Sequence, residues 1–275
     1  MRAAVVGHVE WIEFGRVEHV PAAGEIVHVS ESWQEPGGGG AVAALQLAKL
    51  AGQATLYTAL GDDEVGHRAE RELEALGLRV EAAFRPVPQR RGFVHVDSSG
   101  ERTITVIGDR LGPSGDDPLP WHELADTDAV YLTAGDAGAA RAARAARVLV
   151  STARGLETLR EAAVELDALV ASARDPGERF EPGDLDPPPR LAVRTAGPAG
   201  GEYETLAGER GRWQATPLPG PVSDLYGCGD SFAGGLTYGL GAGMPIPAAL
   251  ELAARCGAAC ATGRGPYEAQ LRSPD

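Results

Sequence analysis

Short apolar runs alternate along the chain with stretches of helical composition, and this alternation limits the folds that the sequence allows. The runs at 3–6, 54–60, 129–132, 148–150 and 191–193 are too short for helices and rich in Val, Leu and Ala, as buried strands are. The intervening segments are rich in the helix formers Ala, Leu, Glu and Arg. Strands that alternate with helices form a mostly parallel sheet with helices on both faces. The sequence therefore predicts an α/β three-layer sandwich with a mostly parallel central sheet.

Residues 90–107 depart from this alternation. The β-prone runs 92–97 and 102–107 flank a Gly-containing segment, which is the pattern of a β-hairpin. Residues 8–14 also alternate as in a strand, and a further β-prone run, 26–29, follows a Pro/Gly turn. These segments predict strands in addition to those of the strand–helix units.

The composition excludes several classes of protein. The formal net charge is −14 and the basic residues are scattered, which argues against nucleic acid and anionic membrane as partners. Lys49 is the only lysine, so the Gly-Lys-Ser/Thr motif of the phosphate-loop NTPases is absent. The three cysteines have neither zinc-ligand spacing nor an even-numbered disulfide framework. Since no apolar run resembles a signal peptide or a membrane span, we expect a cytoplasmic protein.

The segment 224–235 carries the clearest chemical signal. Its small residues Gly227, Cys228 and Gly229 let the backbone approach a ligand, and the stretch that follows is helical in composition. Free amides at a helix N-terminus carry partial positive charge, which stabilises the oxygens of a phosphoryl group in transfer. Asp230, beside these amides, could take the proton of an attacking hydroxyl. The alternative is a Gly-rich turn in which Asp230 only caps the helix.

The same segment resembles the C-terminal signature of the ribokinase-like, or PfkB, carbohydrate kinases, Asp-Thr-x-Gly-Ala-Gly-Asp. Other motifs of that family occur in the correct order along nearly the whole chain. They are the substrate loop at 37–41, the Gly-x-Asp-x-x-Gly turn at 61–66, the hairpin motif Gly-x-Arg-Thr at 100–103 and Thr-x-Gly-x-x-Gly at 195–200.

This resemblance implies a single ribokinase-like domain over 1–275 with a small β lid from about 10–35 and 88–108. It also implies transfer of the ATP γ-phosphate to a hydroxyl of a small molecule bound between sheet and lid. Asp230 would be the catalytic base, and the amides of 227–229 would hold the developing charge. Cys228 stands where the family has Ala. A backbone amide donates equally from either residue, and a reactive, low-pKa thiol is the alternative interpretation.

The resemblance also assigns the nucleotide side. The residues that would line ATP are Thr195, Gly197 and Gly200. The C-terminal helix around Cys256 would close over the adenine. Because the chain has a single lysine, an arginine would have to supply mobile positive charge to the phosphates. Arg174 and Arg102 are the candidates, and the alternative for each is a solvent-exposed side chain.

Two cations follow from the resemblance. In the family's magnesium-region motif Asn-x-x-Glu, Asp175 would take the place of the Glu and Ser172 that of the Asn. Mg²⁺ tolerates this change because it keeps several waters and needs few carboxylates. Asp224 matches a residue that helps hold a monovalent cation, such as K⁺, in many relatives. Its neighbour Leu225 is not the usual Thr or Ser.

The acceptor side departs from the family pattern. The implied acceptor-binding positions are Glu10, Ile12, Gly38, Gly39, Gly40, Val42 and Arg102. Ile12 stands where sugar kinases of the family have a hydroxyl-binding Asp, and Val42 where they have an Asn. Neither side chain forms the paired hydrogen bonds that recognise vicinal hydroxyls. Glu10 could bind a hydroxyl or a cationic group, or be a solvent-facing edge carboxylate. His8 and His95 could line the cleft or be structural. An unmodified pentose or hexose is therefore not the expected acceptor.

Two further interpretations stay open. The acceptor could be a nucleoside or another non-sugar alcohol. The chain could also be a pseudokinase, a regulator that binds a nucleotide or metabolite; the intact segment 227–230 favours an enzyme, because a pure binder needs no base. Trp11 and Trp33 indicate apolar packing in the lid region or the contact of a homodimer through the lid.

Overall fold

The computed structural model describes residues 1–273. The strands are β1 (Ala3–Val6), β2 (Glu10–Arg16), β3 (Glu31–Gly37), β4 (Thr55–Gly61), β5 (Arg79–Arg85), β6 (Arg91–Val96), β7 (Arg102–Ile107), β8 (Ala129–Leu132), β9 (Val148–Thr152), β10 (Ala168–Ser172), β11 (Leu191–Thr195), β12 (Gly201–Thr205) and β13 (Arg210–Trp213). The helices are α1 (Gly39–Ala51), α2 (Glu64–Ala75), α3 (Ala137–Ala143), α4 (Leu156–Ala162), α5 (Cys228–Gly241) and α6 (Ile246–Cys260).

Nine strands form a large sheet in the order β13-β12-β11-β10-β9-β8-β1-β4-β5. The strands from β11 to β5 pair in parallel, and β12 and β13 add antiparallel at one edge. Successive side chains of a strand point to opposite sides of the sheet. Both faces of these apolar strands therefore need cover, and helices pack on each of them. Val5 and Leu236 of α5 belong to the core on one face, and Val6 and Leu159 of α4 to the core on the other. The predicted three-layer α/β sandwich is thus confirmed.

A separate sheet of four strands has the order β3-β2-β6-β7. Its inner strands β2 and β6 pair in parallel, and β3 and β7 join them antiparallel at the two edges. One side of this small sheet is apolar: Ile12 and Phe14 are wholly buried, and Val94, whose backbone pairs with that of Phe14, is buried with them. The predicted hairpin over 92–107 is present as β6 and β7.

Some elements differ from the sequence-based expectations. The run 26–29 forms no strand, and Ile26 is 87% exposed, because no neighbouring strand pairs with it. Helix α2 begins at Glu64, within the motif predicted as a turn at 61–66, because the Asp63 side chain caps it by accepting a hydrogen bond from the Gly66 amide. β5, β12 and β13 were not expected, since these strands at or next to the edges of the sheet carry charges and lack a continuous apolar run. Among residues 1–273, no helix has the length and apolarity needed to cross a membrane.

Candidate active site

The carboxyl ends of the parallel strands meet the first turns of α1 and α5 in a cleft under the small sheet. Such a crevice is where open α/β sheets bind ligands. The approach is close: a Cβ atom placed on Gly39, at the start of α1, would lie 2.8 Å from Oδ1 of Asp230 and 3.0 Å from Oγ1 of Thr133. Only glycine at position 39 leaves this space, so the chain brings the predicted substrate loop directly against the predicted base.

Helix α5 begins in the predicted conformation for an anion site. Its cap, Gly227, has a φ of 79°, in the left-handed region that favours glycine. The cap has no side chain to bind the first amides of the helix, because the cap residue is glycine. The amides of Cys228 and Gly229 lie at the positive end of the helix dipole. The sequence-predicted group 227–230 therefore forms one turn, with its amides and Asp230 together.

Asp230 is half-buried, and it makes no hydrogen bond and no ion pair within residues 1–273. Burial, and then the negative charge of Glu178, raise the pKa of its carboxyl to about 7. Arg102 and Arg154 act in the opposite direction, because their positive charges favour the ionised form. A carboxylate without a partner and with a pKa near neutrality has the properties of a general base.

Cys228 does not have the properties of a reactive thiolate. A hydrogen bond with Cys260, together with burial, raises the pKa of the Cys228 thiol well above its usual range. The thiol therefore stays protonated, and only the backbone amide of Cys228 is available to an anion. The alternative interpretation of a low-pKa nucleophile is wrong.

Buried groups hold the loop over 38–40, which carries the predicted acceptor-binding glycines. The amide of Gly38 donates to the Tyr226 hydroxyl at 2.9 Å, and the amide of Gly39 donates to Nε2 of His8 at 3.4 Å. A Cβ atom at Gly40 would lie 2.6 Å from the His8 carbonyl oxygen. The loop over 38–40 therefore follows the end of β1 at the closest distance that the backbone permits.

Ile12 and Val42 are wholly buried. Ile12 packs against Gly37 and Gly92, while Val42 lies beneath Gly227, since Cβ atoms on these glycines would meet the two side chains at 2.7 to 2.9 Å. Neither residue offers a polar atom to an acceptor. Each supports the backbone that forms the cleft.

Glu10 is buried, with an exposed fraction of 7%. Its Oε1 accepts a hydrogen bond from Nε of Arg90 at 2.6 Å, and Nε2 of His8 lies 3.9 Å from the same oxygen. The interpretation of Glu10 as a solvent-facing edge carboxylate is therefore wrong. Its negative charge is already balanced by an arginine.

Three charged residues of the site were missed by the sequence analysis: Arg90, Arg154 and Glu178. Arg154 binds both Asp175 and Glu178, with 3.0 Å between its Nη2 and Oε1 of Glu178. Arg154 follows β9 and Glu178 lies shortly after β10, at the carboxyl end of the sheet. The rule that ligands bind at the carboxyl ends of parallel strands could have found this region, although not the individual side chains.

Arg102 lies on β7 with its side chain exposed, and it contacts Glu101 at 3.4 Å. Its positive charge partly offsets the burial that raises the pKa of Asp230 and of Asp224. Arg174 lies on the other side, where a Cβ atom at Gly197 would meet its Nη1 at 3.0 Å. The two candidate arginines thus lie in different parts of the fold, Arg102 on β7 of the small sheet and Arg174 after β10 of the large one.

The predicted nucleotide residues surround the end of β11. Thr195 is its last residue, and Gly197 and Gly200 both have positive φ angles, of 59° and 80°. A cavity of about 300 Å³ lies here, lined by Ala196, Ala199 and Trp213 among others. The side chain of Cys256 is wholly buried in α6 against Gly235, so it contributes no surface to this cavity.

The two predicted cation residues differ in their surroundings. Asp175 accepts a hydrogen bond from the Gly177 amide at 2.8 Å through Oδ1, and Arg154 binds its Oδ2. Asp224 is wholly buried, and its two oxygens accept hydrogen bonds from the amides of Tyr226 at 2.8 Å and Gly265 at 3.2 Å. Burial raises the pKa of Asp224.

Comparison with known proteins gives one consistent result. The model of the family described as pfkB family carbohydrate kinase matches residues 2–176 and 190–272. The chain is 30% identical to the ATP-dependent ribose-1-phosphate kinase of Halopiger xanaduensis, over 98% of this chain and 95% of that protein.

Solved structures share the fold. The crystal structure of a putative ribokinase from Agrobacterium tumefaciens has a TM-score of 0.82 at 23% identity, covering 98% of this chain and 94% of that one. The ribokinase of Arabidopsis thaliana, complexed with ribose and ATP, has a TM-score of 0.74 at 19% identity, covering 98% of this chain and 95% of that one. At these identities the likeness concerns the fold.

Proposed function

The chain belongs to the PfkB family of carbohydrate kinases, and we propose that it transfers the γ-phosphate of ATP to a hydroxyl of a sugar or sugar-like molecule with Asp230 as the base. It is accordingly a phosphotransferase with an alcohol group as acceptor. The observation that carries the role of Asp230 is its unpartnered carboxyl, with a pKa of about 7, at the N-terminus of α5.

In this mechanism the acceptor hydroxyl lies beside Gly39 and gives its proton to Asp230 as its oxygen attacks the γ-phosphorus. The amides of 227–229 stabilise the charge on the transferred group, because they are fixed in place before the reaction. Thr195, Gly197 and Gly200 hold the nucleotide, and α6, which contains Cys256, supports that side. The small sheet acts as a lid that excludes water.

Mg²⁺ is part of the proposal. Within residues 1–273, no group of three or more His, Cys, Asp or Glu side chains is arranged to hold a metal, which fits an ion bound mainly by phosphates and water. Both oxygens of Asp175 are engaged, whereas Oε2 of Glu178 accepts no hydrogen bond in the described chain. Glu178 is therefore the better placed carboxylate. Bound Mg²⁺ would neutralise charge on the phosphates.

A monovalent cation such as K⁺ is proposed beside Asp224. This carboxyl is wholly buried and has no ion pair among the described residues, and its hydrogen-bond donors are backbone amides. A neighbouring cation would offset the cost of ionising it. The negative charge of Asp224 is what supports a cation here, because Leu225 has no side-chain oxygen to coordinate it.

The proposal also covers the cellular compartment and the oligomeric state. The cysteines Cys228, Cys256 and Cys260 are free thiols, which supports a reducing compartment such as the cytoplasm. The small sheet ends in the exposed strand β7, which supports a homodimer through the lid.

The decisive experiment measures ADP release from ATP with a panel of sugars, sugar phosphates and nucleosides, with and without Mg²⁺ and K⁺. At least one acceptor should stimulate release. Asp230→Asn should lower kcat by about 10³-fold or more with little change in the KM for ATP, because it removes the base and leaves the nucleotide site. Asp126→Asn, which changes an exposed carboxylate just before β8, at the amino ends of the parallel strands, is the matched control.

A binding regulator is the second candidate, and the buried Ile12 and Val42 favour it because they provide no hydroxyl-binding group. It predicts ATP binding without acceptor-stimulated ADP release, and no effect of Asp230→Asn on ATP affinity. An absence of stimulation across the whole panel would favour the regulator over the kinase.

A further inference from the structure

The first turns of α1 and α5 lie against each other in the candidate site. Each turn is closed by one backbone hydrogen bond: the amide of Val42 donates to the Gly38 carbonyl at 3.1 Å, and the amide of Ser231 donates to the Gly227 carbonyl at 2.8 Å. The turn in α1 carries the predicted acceptor-binding glycines, and the turn in α5 carries the predicted base and its amides. The two turns therefore have to keep a defined separation.

The side chain of Gln270 joins these two turns. Its Nε2 donates to the Val42 carbonyl oxygen at 3.0 Å and to Oγ of Ser231 at 3.1 Å. Gln270 is only 4% exposed, and Ser231 is wholly buried. Because a carbonyl oxygen only accepts hydrogen bonds, the nitrogen of the amide group must face Val42. A single buried amide group thus bridges the turn of the acceptor-binding glycines and the turn of the base.

The C-terminal segment that carries Gln270 is itself anchored on both sides of this residue. Before it, the buried Tyr267 hydroxyl donates to the Pro36 carbonyl of β3 at 2.6 Å. After it, the carbonyl of Leu271 accepts a hydrogen bond at 2.8 Å from Nε2 of Gln46, which is wholly buried in α1. These contacts fix the segment to the small sheet and to α1. Gln270 therefore holds the first turn of α5 from a fixed position.

The separation of the two turns sets the position of the base. A Cβ atom on Gly39 would lie 2.8 Å from Oδ1 of Asp230. The Asp230 side chain makes no hydrogen bond and no ion pair within residues 1–273, so its place depends on its backbone turn. Misplacement of a reacting group by about 1 Å can cost about 100-fold in rate. A contact that fixes this turn is therefore expected to affect proton transfer.

Given the proposed kinase function, on which this inference rests, we infer that Gln270 is a positioning residue of the phosphoryl transfer. Because its side chain is buried, it acts through Ser231 rather than on a substrate. It holds the first turn of α5 where Asp230 and the amides of 227–229 meet the loop over 38–40. The amide group of Gln270 is uncharged, so it sets the place of the base and not its pKa.

Gln270→Met is the first test, because it keeps the length of the side chain and removes both hydrogen bonds. The value of kcat should fall by about 10- to 100-fold, with little change in the KM for ATP. The acid limb of the pH profile should keep its position, since no charge changes near Asp230. An unchanged kcat, or a limb that moves, overturns the inference.

Ser231→Ala tests the same contact from the side of α5, and Thr237→Val is its matched control. Both substitutions remove a wholly buried hydroxyl from α5. Oγ1 of Thr237 donates to the Ala233 carbonyl at 2.8 Å, within the helix and away from its first turn. Both variants should unfold at a lower urea concentration, because each loses a buried hydrogen bond. Only Ser231→Ala should lower kcat, by about 10-fold, and equal values of kcat in the two variants contradict the inference.

The double variant with Gln270→Met and Ser231→Ala shows whether the two residues act through one contact. Its kcat should match that of Gln270→Met within about twofold, since the second substitution has no contact left to remove. Two independent structural effects would instead multiply. Losses of kcat that multiply therefore overturn the role of Gln270 as a residue that acts through Ser231.

The same assay separates this inference from the proposed function. Every variant is measured with an acceptor that stimulates ADP release by the wild-type protein, and Asp230→Asn is measured beside it. If Asp230→Asn abolishes the stimulated release and Gln270→Met retains the wild-type kcat, the inference fails and the kinase stands. If no acceptor stimulates ADP release by the wild-type protein, the kinase proposal fails, and the inference fails with it.

Discussion

At the residue scale, Asp230 meets two opposed requirements. A base must be ionised to accept a proton, but it must also lie in a site from which water is excluded, where ionisation is costly. Burial and Glu178 raise its pKa, and Arg102 and Arg154 lower it, with the balance at about 7. The Asp230 carboxyl is thus half ionised near neutral pH, and it accepts a proton more readily than an exposed aspartate does.

This balance predicts the pH dependence of the reaction. The base works when it is ionised, so kcat/KM should rise with pH and level off above about 7. At one pH unit below the pKa, a single ionisation leaves roughly one tenth of the plateau rate. In the free protein, before Mg²⁺ binds, Glu178→Gln removes a negative charge that raises the pKa of Asp230, so the acid limb of kcat/KM for ATP should move to lower pH.

The control for this experiment is Glu161→Gln, which changes an exposed carboxylate on the outer side of α4. Its pH profile should coincide with that of the wild-type protein. A limb that stays in place in Glu178→Gln, or that moves to higher pH, contradicts the electrostatic role of Glu178. The position of the limb is the readout, because a change in kcat alone would not distinguish charge from structure.

The base and its amides could be predicted from the sequence because they are contiguous: the four residues 227–230 form a single turn. Of the charges that tune the base, Arg102 was a sequence candidate, but Arg154 and Glu178 were not. These two lie in connections separated by whole strands and helices, and only the parallel topology brings them to one edge of the sheet. Glu10 was assigned to the acceptor side, but its partner Arg90 was not foreseen, since a pairing across the small sheet leaves no local pattern.

At the element scale, the start of α5 is the part of the fold with the least tolerance for change. Gly227 must adopt a positive φ, and it also lies against α1 and the C-terminal loop. A Cβ atom here would lie 2.9 Å from both Pro266 and Val42. Conformation and packing therefore both require glycine at this position.

We predict that Gly227→Ala lowers the free energy of unfolding by about 2–4 kcal/mol, the sum of a positive-φ cost and overpacking. Displaced amides should also lower kcat by about 10- to 100-fold. Gly243→Ala is the control, because Gly243 has a φ of 75° but open space around its Cβ position. That variant should lose only about 1 kcal/mol and keep its kcat. Urea unfolding and initial rates measure both effects, and equal losses in the two variants would contradict the packing argument.

The interior strands could be predicted because their burial on both faces requires uninterrupted apolar runs, as in β8 and β9. The edges could not be predicted in the same way. β5, at one edge, mixes charged and apolar residues, and β12, next to the other edge, contains two glutamates, since strands with a face toward water need no apolar run. The run 26–29 shows the reverse error: it has β propensity but no partner, and propensity alone does not make a strand.

At the scale of the whole molecule, the small sheet stands apart from the large one as a separate set of four hydrogen-bonded strands. Its strand β7 is an edge strand on which every residue is exposed. Ile104 and Val106, exposed by 41% and 43%, share a face with the buried Val94, because Ile104 is its cross-strand partner. An apolar edge strand of this kind is a common site of pairing with another chain.

The proposed homodimer predicts that the protein sediments as a dimer at micromolar concentration and that Val106→Asp converts it to a monomer. The aspartate would bring a charge into an apolar contact between lids, and it should change the unfolding temperature by only about 1–2 °C, because the side chain is already half exposed. Leu206→Asp is the matched control: Leu206 is 61% exposed, but it lies in the turn between β12 and β13, at the far edge of the large sheet. That variant should remain a dimer. Sedimentation velocity over a range of concentrations measures the outcome, and a monomeric wild-type protein throughout would contradict association through β7.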